Sequence, residues 1–305
     1  MSNQTNVTEF LLWGFSEVRE LQILHVVVFL VIYLAALMWN LLIITAVALD
    51  RHLHTPMYFF LINLSILDIG FISVTIPKSM ANSFMNTRSI SYTGCVTQVF
   101  FLPFLVGVNF FLLTVMAYNL YVAICQSLHY ERVMNRGACV QMAARVWARG
   151  VLYAALHTGN MLAISFCRGN KVDQFFCDIP QILKLTCSDS YPTETGVILL
   201  STGLALCCFV FIIVSYVQII TTVLRIPSEQ GRHKAFSTCL PHLTVLSLLA
   251  CTGFFAYLKP LSSTSRLDLV VAVFYSVLPL MMNPIIYNMR NKEIKASLWK
   301  VTGWW

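Results

Sequence analysis

The stretch LQILHVVVFLVIYLAALMWNLLIITAVAL, residues 21–49, contains no Asp, Glu, Lys or Arg. A helix crosses the hydrocarbon of a bilayer in about 20 apolar residues, so this stretch is long enough to span one. Charge-free stretches recur at residues 89–130, 150–167, 195–224, 235–258 and 269–289, and a further run from His52 to Pro77 is interrupted only by Asp68. Seven such runs predict an all-α membrane protein, a seven-transmembrane helix bundle. Composition agrees: 58% of the 305 residues are apolar and only 11% are charged, a balance that a water-soluble domain of this size would not keep in solution.

The predicted spans are Leu24–Leu49, Met57–Pro77, Cys95–Cys125, Ala143–Ser165, Gly196–Leu224, Ala235–Leu258 and Leu267–Tyr287. They divide the chain into a tail (residues 1–22), the bundle (23–288) and a second tail (289–305). The longest connection runs from Phe166 to Thr195. Residues 1–20 carry Glu9, Glu17 and Glu20 against Arg19 alone, which lacks the positive start of a removable signal peptide, so the first span acts as an uncleaved anchor. One face of the bundle holds Arg51, Arg132, Arg136, Arg145, Arg149, Arg225, Arg232, Lys234, Arg290, Lys292, Lys295 and Lys300, twelve of the 20 basic residues. The positive-inside bias makes that face cytoplasmic and the N-terminus extracellular. The net charge of +7 then reflects anionic membrane lipid and what docks from the cytosol, with no need of nucleic acid.

Two glycosylation sequons, at Asn3 and Asn6, fall in the first tail, on the side this orientation exposes to the secretory lumen. A third match at Asn63 falls inside the second span and is read as chance. In the second tail Ile294, Leu298, Val301 and Trp305 share a helical stripe away from the lysines, the pattern of a short amphipathic C-terminal helix lying in the interface. Of the ten cysteines, Cys95, Cys167, Cys177 and Cys187 lie on the extracellular side, where disulfides persist. Four cysteines allow three pairings, and spacing alone does not choose among them. A metal site is the rival, but no CxxC or neighbouring histidine pair supports it.

Five short motifs occur in order along the chain. They are His54-Thr55-Pro56-Met57-Tyr58-Phe59-Phe60-Leu61 leading to Asp68, Met116-Ala117-Tyr118-Asn119-Leu120-Tyr121-Val122-Ala123-Ile124-Cys125, Ser215-Tyr216, Lys234-Ala235-Phe236-Ser237-Thr238-Cys239, and Pro279 through Asn283-Pro284-Ile285-Ile286-Tyr287. Together they span nearly the whole chain, which therefore resembles a mammalian odorant receptor of the rhodopsin-like G-protein-coupled class. The resemblance implies residence in the plasma membrane, reached with receptor-transport chaperones. It also implies binding of a small volatile ligand and activation of an olfactory Gs-type G protein that raises cyclic AMP. No cofactor or resident metal is implied.

The same resemblance implies that Cys95 pairs with Cys177 and Cys167 with Cys187. Asp68 would face Asn40 and Asn283, either as a hydrogen-bonded hub or as a sodium site. Many family members have a glutamate where Asn109 stands, which weakens the sodium alternative. Coupling is expected to involve Asn119, Leu120, Tyr121, Tyr216, Arg132, Arg232 and Lys234, with Pro284 and Tyr287 in the last span. The chief departure is Asn119-Leu120, where the family reads Asp-Arg. That arginine pairs with its acid neighbour at rest and reaches Tyr216 and the G protein when active, and leucine offers neither charge nor donor. Impaired or lost coupling is thus the alternative to active signalling. A second departure is Ala250, where many members have tyrosine.

Family precedent puts the ligand among Leu102, Pro103, Val106, Gly107, Leu200, Ser201, Leu204, Gly253, Phe254, Tyr257, Val273 and Ser276. None is charged, so a neutral hydrophobic compound fits better than an amine or acid, whose charge would be desolvated without a partner. An enzyme is disfavoured because no HExxH, GxSxG or paired catalytic aspartate appears in the spans. A channel or transporter is disfavoured because the bundle holds a single central carboxylate.

Overall fold

The computed structural model describes residues 8–14, 16–163, 166, 169–187 and 191–258, together with 294, 296, 297 and 299. Long helices carry the fold: α1 (Arg19–Leu49), α2 (Pro56–Met85), α3 (Tyr92–Cys125), α5 (Arg136–Ala163), α7 (Tyr191–Leu224) and α8 (Glu229–Leu258). The short helices α4 (Tyr130–Val133) and α6 (Ile179–Leu183) lie in the connections. Five of the long helices contain a stretch apolar enough to cross a bilayer. The exception is α5, which carries Arg136, Arg145 and Arg149 in its first half. The expected seventh span, Leu267–Tyr287, lies outside the described residues.

Local chemistry sets the helix limits. Pro56 opens α2 at a position where its missing N–H breaks no helical bond, and Asn86 ends it in the left-handed region with φ 51°. The Ser91 hydroxyl accepts from the Gly94 N–H at 3.1 Å and caps α3. The expected end of the second span at Pro77 needs correction, because α2 continues to Met85 with Pro77 inside it. A membrane helix tolerates an internal proline when neighbouring groups satisfy the freed backbone, and Pro103 and Pro241 sit likewise inside α3 and α8.

The third helix is the axis of the bundle, packing against α2, α5, α7 and α8, while α1 packs on α2. Small residues allow the close approaches. An added Cβ at Gly70 would come within 2.9 Å of Leu105, and one at Gly150 within 2.2 Å of Val108. This is how helices associate in lipid, where packing rather than escape from water holds them together. Polar ties reinforce the contacts: Trp147 donates its indole N–H to the Asn63 amide oxygen at 3.0 Å, joining α5 to α2. The third sequon match is thus a packing residue. The outward faces of α1 and α7 expose Leu30, Val31, Leu34, Val210, Val214 and Val217, an apolar surface suited to lipid.

Replacing Gly150 by valine should therefore force α3 and α5 apart. Overpacking of this kind costs about 1 to 3 kcal/mol, and the expected result is a several-fold fall in surface labelling relative to total protein. Gly159→Val, on the same helix but with nothing within 4 Å of the added Cβ, should leave surface labelling near normal. Equal levels for the two variants would show that the close approach is not limiting.

Before α1 lies an element absent from the helical expectation. Strand β1 (Glu9–Leu12) is the middle strand of a three-stranded sheet. It pairs antiparallel with β2 (Ser89–Ser91) and parallel with β3 (Lys171–Val172). Its side chains alternate exposed and buried, as the two-residue period of a strand demands. Phe10 is fully buried and meets the Phe166 ring edge-on at 5.4 Å. Beyond the bundle, Ile294 is buried in the main core and the Ser297 hydroxyl donates to the Ala46 carbonyl at 3.4 Å. Ser297 of the second tail therefore lies against the end of α1. Leu298, Val301 and Trp305 of the expected stripe lie outside the described residues.

Candidate functional site

At the end of the bundle that holds the sheet, a disulfide joins Cys95, in the first turn of α3, to Cys177 in the long connection, with Cα atoms 5.4 Å apart. Gln98 lies one turn further along α3. Its side-chain oxygen accepts from the Cys177 N–H at 2.8 Å, and its amide donates to the Val74 carbonyl of α2 at 3.0 Å. One side chain thus fixes the connection to two helices. Phe175 and Phe176 then turn into the main core, Phe175 stacking on Phe29 of α1. Cys187 is also disulfide-bonded, and its expected partner Cys167 lies outside the described residues. This end is a plugged lid.

At the opposite end, Asn119 and Leu120 occupy the last turns of α3, and both are buried. The Asn119 amide oxygen accepts from the Tyr130 hydroxyl at 3.0 Å, tying α3 to the connection that follows it. Burial pushes the Tyr130 phenol above its ordinary pKa. Leu120, 3% exposed, shares an apolar cluster with Ile212, Tyr216, Ile219, Val223 and Cys239 of α7 and α8. The Tyr216 hydroxyl is hydrogen-bonded to Nδ1 of His242 in α8, and the two rings stack. Nearby, Cys125 donates to the Thr222 hydroxyl at 3.3 Å, a further link from α3 to α7. Tyr121 accepts from the Gln126 amide at 3.1 Å.

The expected coupling residues Asn119, Leu120, Tyr121 and Tyr216 are therefore brought to one end. Arg132 lies in α4, and Arg232 and Lys234 in the first turns of α8. Pro284 and Tyr287 lie outside the described residues. His242 was not among the expected residues, and its signal was available: a lone histidine in the apolar run of the sixth span, directly after Pro241.

In mid-bundle, Asp68 and Asn40 are both fully buried, on the neighbouring helices α2 and α1. Asn40 donates to the Ala36 carbonyl of its own helix at 2.9 Å. Asn109 is half-buried on α3, and Asn283 lies outside the described residues.

Of the expected ligand residues, Leu102 is buried in the main core, whereas Val106, Leu200 and Leu204 are about half exposed. Gly107 lies against the Tyr153 ring, 3.3 Å from an added Cβ. The Ser201 hydroxyl donates to Val197 of its own helix at 2.6 Å. Pro103 is half-buried. Gly253, Phe254 and Tyr257 fall in the last turns of α8, and Val273 and Ser276 lie outside the described residues. A hollow lies beside the sheet, between Gln22, Asn82, Asn86 and Arg88.

Comparison with known proteins agrees with this arrangement. The model of a family described as olfactory receptor matches residues 29–303. The chain is 53% identical to human olfactory receptor 14A16, covering 98% of this chain and 96% of that one. It is 52% identical to human olfactory receptor 14I1, covering 99% and 97%. The crystal structure of squid rhodopsin superposes with a TM-score of 0.70 over 94% of this chain and 87% of the other, at 14% identity.

Proposed function

The chain belongs to the olfactory receptor family, and we propose from that premise that it is an odorant receptor for small, neutral, hydrophobic compounds, signalling through an olfactory Gs-type G protein to cyclic AMP. Near-full-length identity with human olfactory receptors carries this reading. The fold is that of a rhodopsin-like seven-helix receptor, a multi-pass membrane protein and not an enzyme. In the proposed orientation the sheet and the Cys95–Cys177 lid face outside, and the Asn119-Leu120 end faces the cytosol. Receptor-transport chaperones carry the protein to the plasma membrane, where lipid covers the faces of α1 and α7, and Asn3 and Asn6 carry glycans.

Ligand binding would shift a bistable bundle so that α8 moves outward and opens a cleft for the G protein. The ligand class follows from the uncharged residues of the expected pocket. An ammonium or carboxylate would lose its hydration without a compensating partner. Cyclic AMP in cells expressing the receptor with transport helpers, at quantified surface level, tests this. Neutral alcohols, ketones and esters are expected to elicit responses, and amines and acids of matched carbon skeleton to elicit about tenfold less. Responses dominated by charged compounds would overturn the ligand class.

A second reading is favoured by one observation. Leu120 lies buried where the resemblance implies an arginine that meets the G protein, so the protein binds odorant but couples weakly.

A further inference from the structure

We propose that Leu120 is the centre of an apolar latch that holds α8 closed against α3 and α7, so that this residue adds a closed-state contact and does not merely omit an output contact. The proposal rests on the reading that this end of the bundle is cytoplasmic and opens toward a G protein.

The cluster around Leu120 draws on three helices: Ala117 and Leu120 from α3, Ile212, Ile219 and Val223 from α7, and Cys239 from α8. Beside it, the buried Tyr216–His242 hydrogen bond ties α7 to α8. On the other side, Tyr130 holds Asn119, the residue next to Leu120. The apolar plug is thus flanked by two polar ties and sits where outward movement of α8 would have to begin.

Solvation decides which state the residue favours. An arginine here would be poorly solvated in the closed cluster unless paired, and well hydrated once the cleft filled with water. Leucine has the reverse preference: it gains from burial when closed and is exposed to water when open. Helix α3 contains no charged residue from Tyr92 to Cys125. If Tyr216 leaves His242, therefore, α3 offers no charged side chain to receive it. Both effects move the equilibrium toward the closed bundle.

The test is truncation without any added charge. Leu120→Ala removes the plug and still supplies no arginine. Cys239, 6% exposed within the cluster, reports opening directly. Full-length receptor in membranes is treated with a membrane-permeant maleimide, and labelling of each cysteine is read by peptide mass spectrometry. Cys139, 3% exposed on α5, reports integrity in the same sample. The expected result is that Cys239 labels about tenfold faster in Leu120→Ala than in the native chain, equivalent to about 1.4 kcal/mol taken from the closed state, while Cys139 stays protected. Should alanine expose both thiols, Leu120→Val provides the same comparison with a smaller truncation.

Unchanged Cys239 labelling in variants that protect Cys139 would overturn the latch. Faster Cys239 labelling with raised ligand-free cyclic AMP supports both the latch and the signalling reading. Faster labelling with flat cyclic AMP supports the latch and counts against Gs coupling.

Discussion

Replacing either Cys95 or Cys177 by alanine is expected to abolish surface expression. The bond closes a loop of 82 residues, and in the chain-entropy account a loop of that size is worth about 4.5 kcal/mol, near the top of the 2 to 5 kcal/mol range for native bridges. More than the bond is at stake. The Cys177 N–H is held by Gln98, which also grips Val74, and Cys95, Cys177, Phe10 and Phe166 share one buried cluster. Freeing Cys177 would therefore loosen the lid, the third helix and the sheet together. Since both single variants break the same bond, Cys95→Ala with Cys177→Ala is expected to match either alone. Cys207→Ala, at an exposed position on α7, should traffic normally. Surface immunolabelling against total protein measures all four, and normal surface levels in either single variant would refute the structural role of the bridge.

Much of the fold was legible because a bilayer imposes a simple signal: long runs without charge. That signal marks the apolar part of a helix and not its ends. Hence α5 begins at Arg136 although the span was expected from about Ala143, since Arg136 and Gln141 are compatible with helix but not with hydrocarbon. Similarly, the charge-free run stops at Pro77 because Lys78 follows, yet α2 runs on to Met85. The strand Glu9–Leu12 was not legible. Four residues of alternation are too few to stand out, and the strand exists because β2 and β3 are brought beside it by the third helix and the long connection.

The candidate site divides the same way. Disulfide partners and coupling residues came from the family resemblance, whereas the part played by His242 depended on a tertiary neighbour, Tyr216, 26 positions away. Asn63 matched a motif for the wrong reason: its use is to receive the Trp147 indole.

Restoring the family pair, Asn119→Asp with Leu120→Arg, is expected to raise ligand-dependent cyclic AMP about tenfold at matched surface level, whereas Leu120→Arg alone should lose surface expression. The difference follows from burial. Leu120 is 3% exposed, and an unpaired charge at such a position destabilises by roughly 3 to 5 kcal/mol. Aspartate at 119 would provide the partner at rest, and the Tyr130 hydroxyl, which now donates to the Asn119 amide oxygen at 3.0 Å, would donate equally well to a carboxylate. The connection that follows α3 would keep its tie. In the open state the new arginine would be hydrated and would offer Tyr216 an alternative to His242, the exchange that leucine denies it. Each 1.4 kcal/mol moved from the closed to the open state multiplies the active population tenfold while that population is small. The single and double variants therefore separate two effects of one side chain. If the double variant reached the surface but responded no better than the native chain, the arginine would be dispensable here, and coupling would rest on contacts outside the Leu120 cluster, with Arg132 and Arg232 the first to replace.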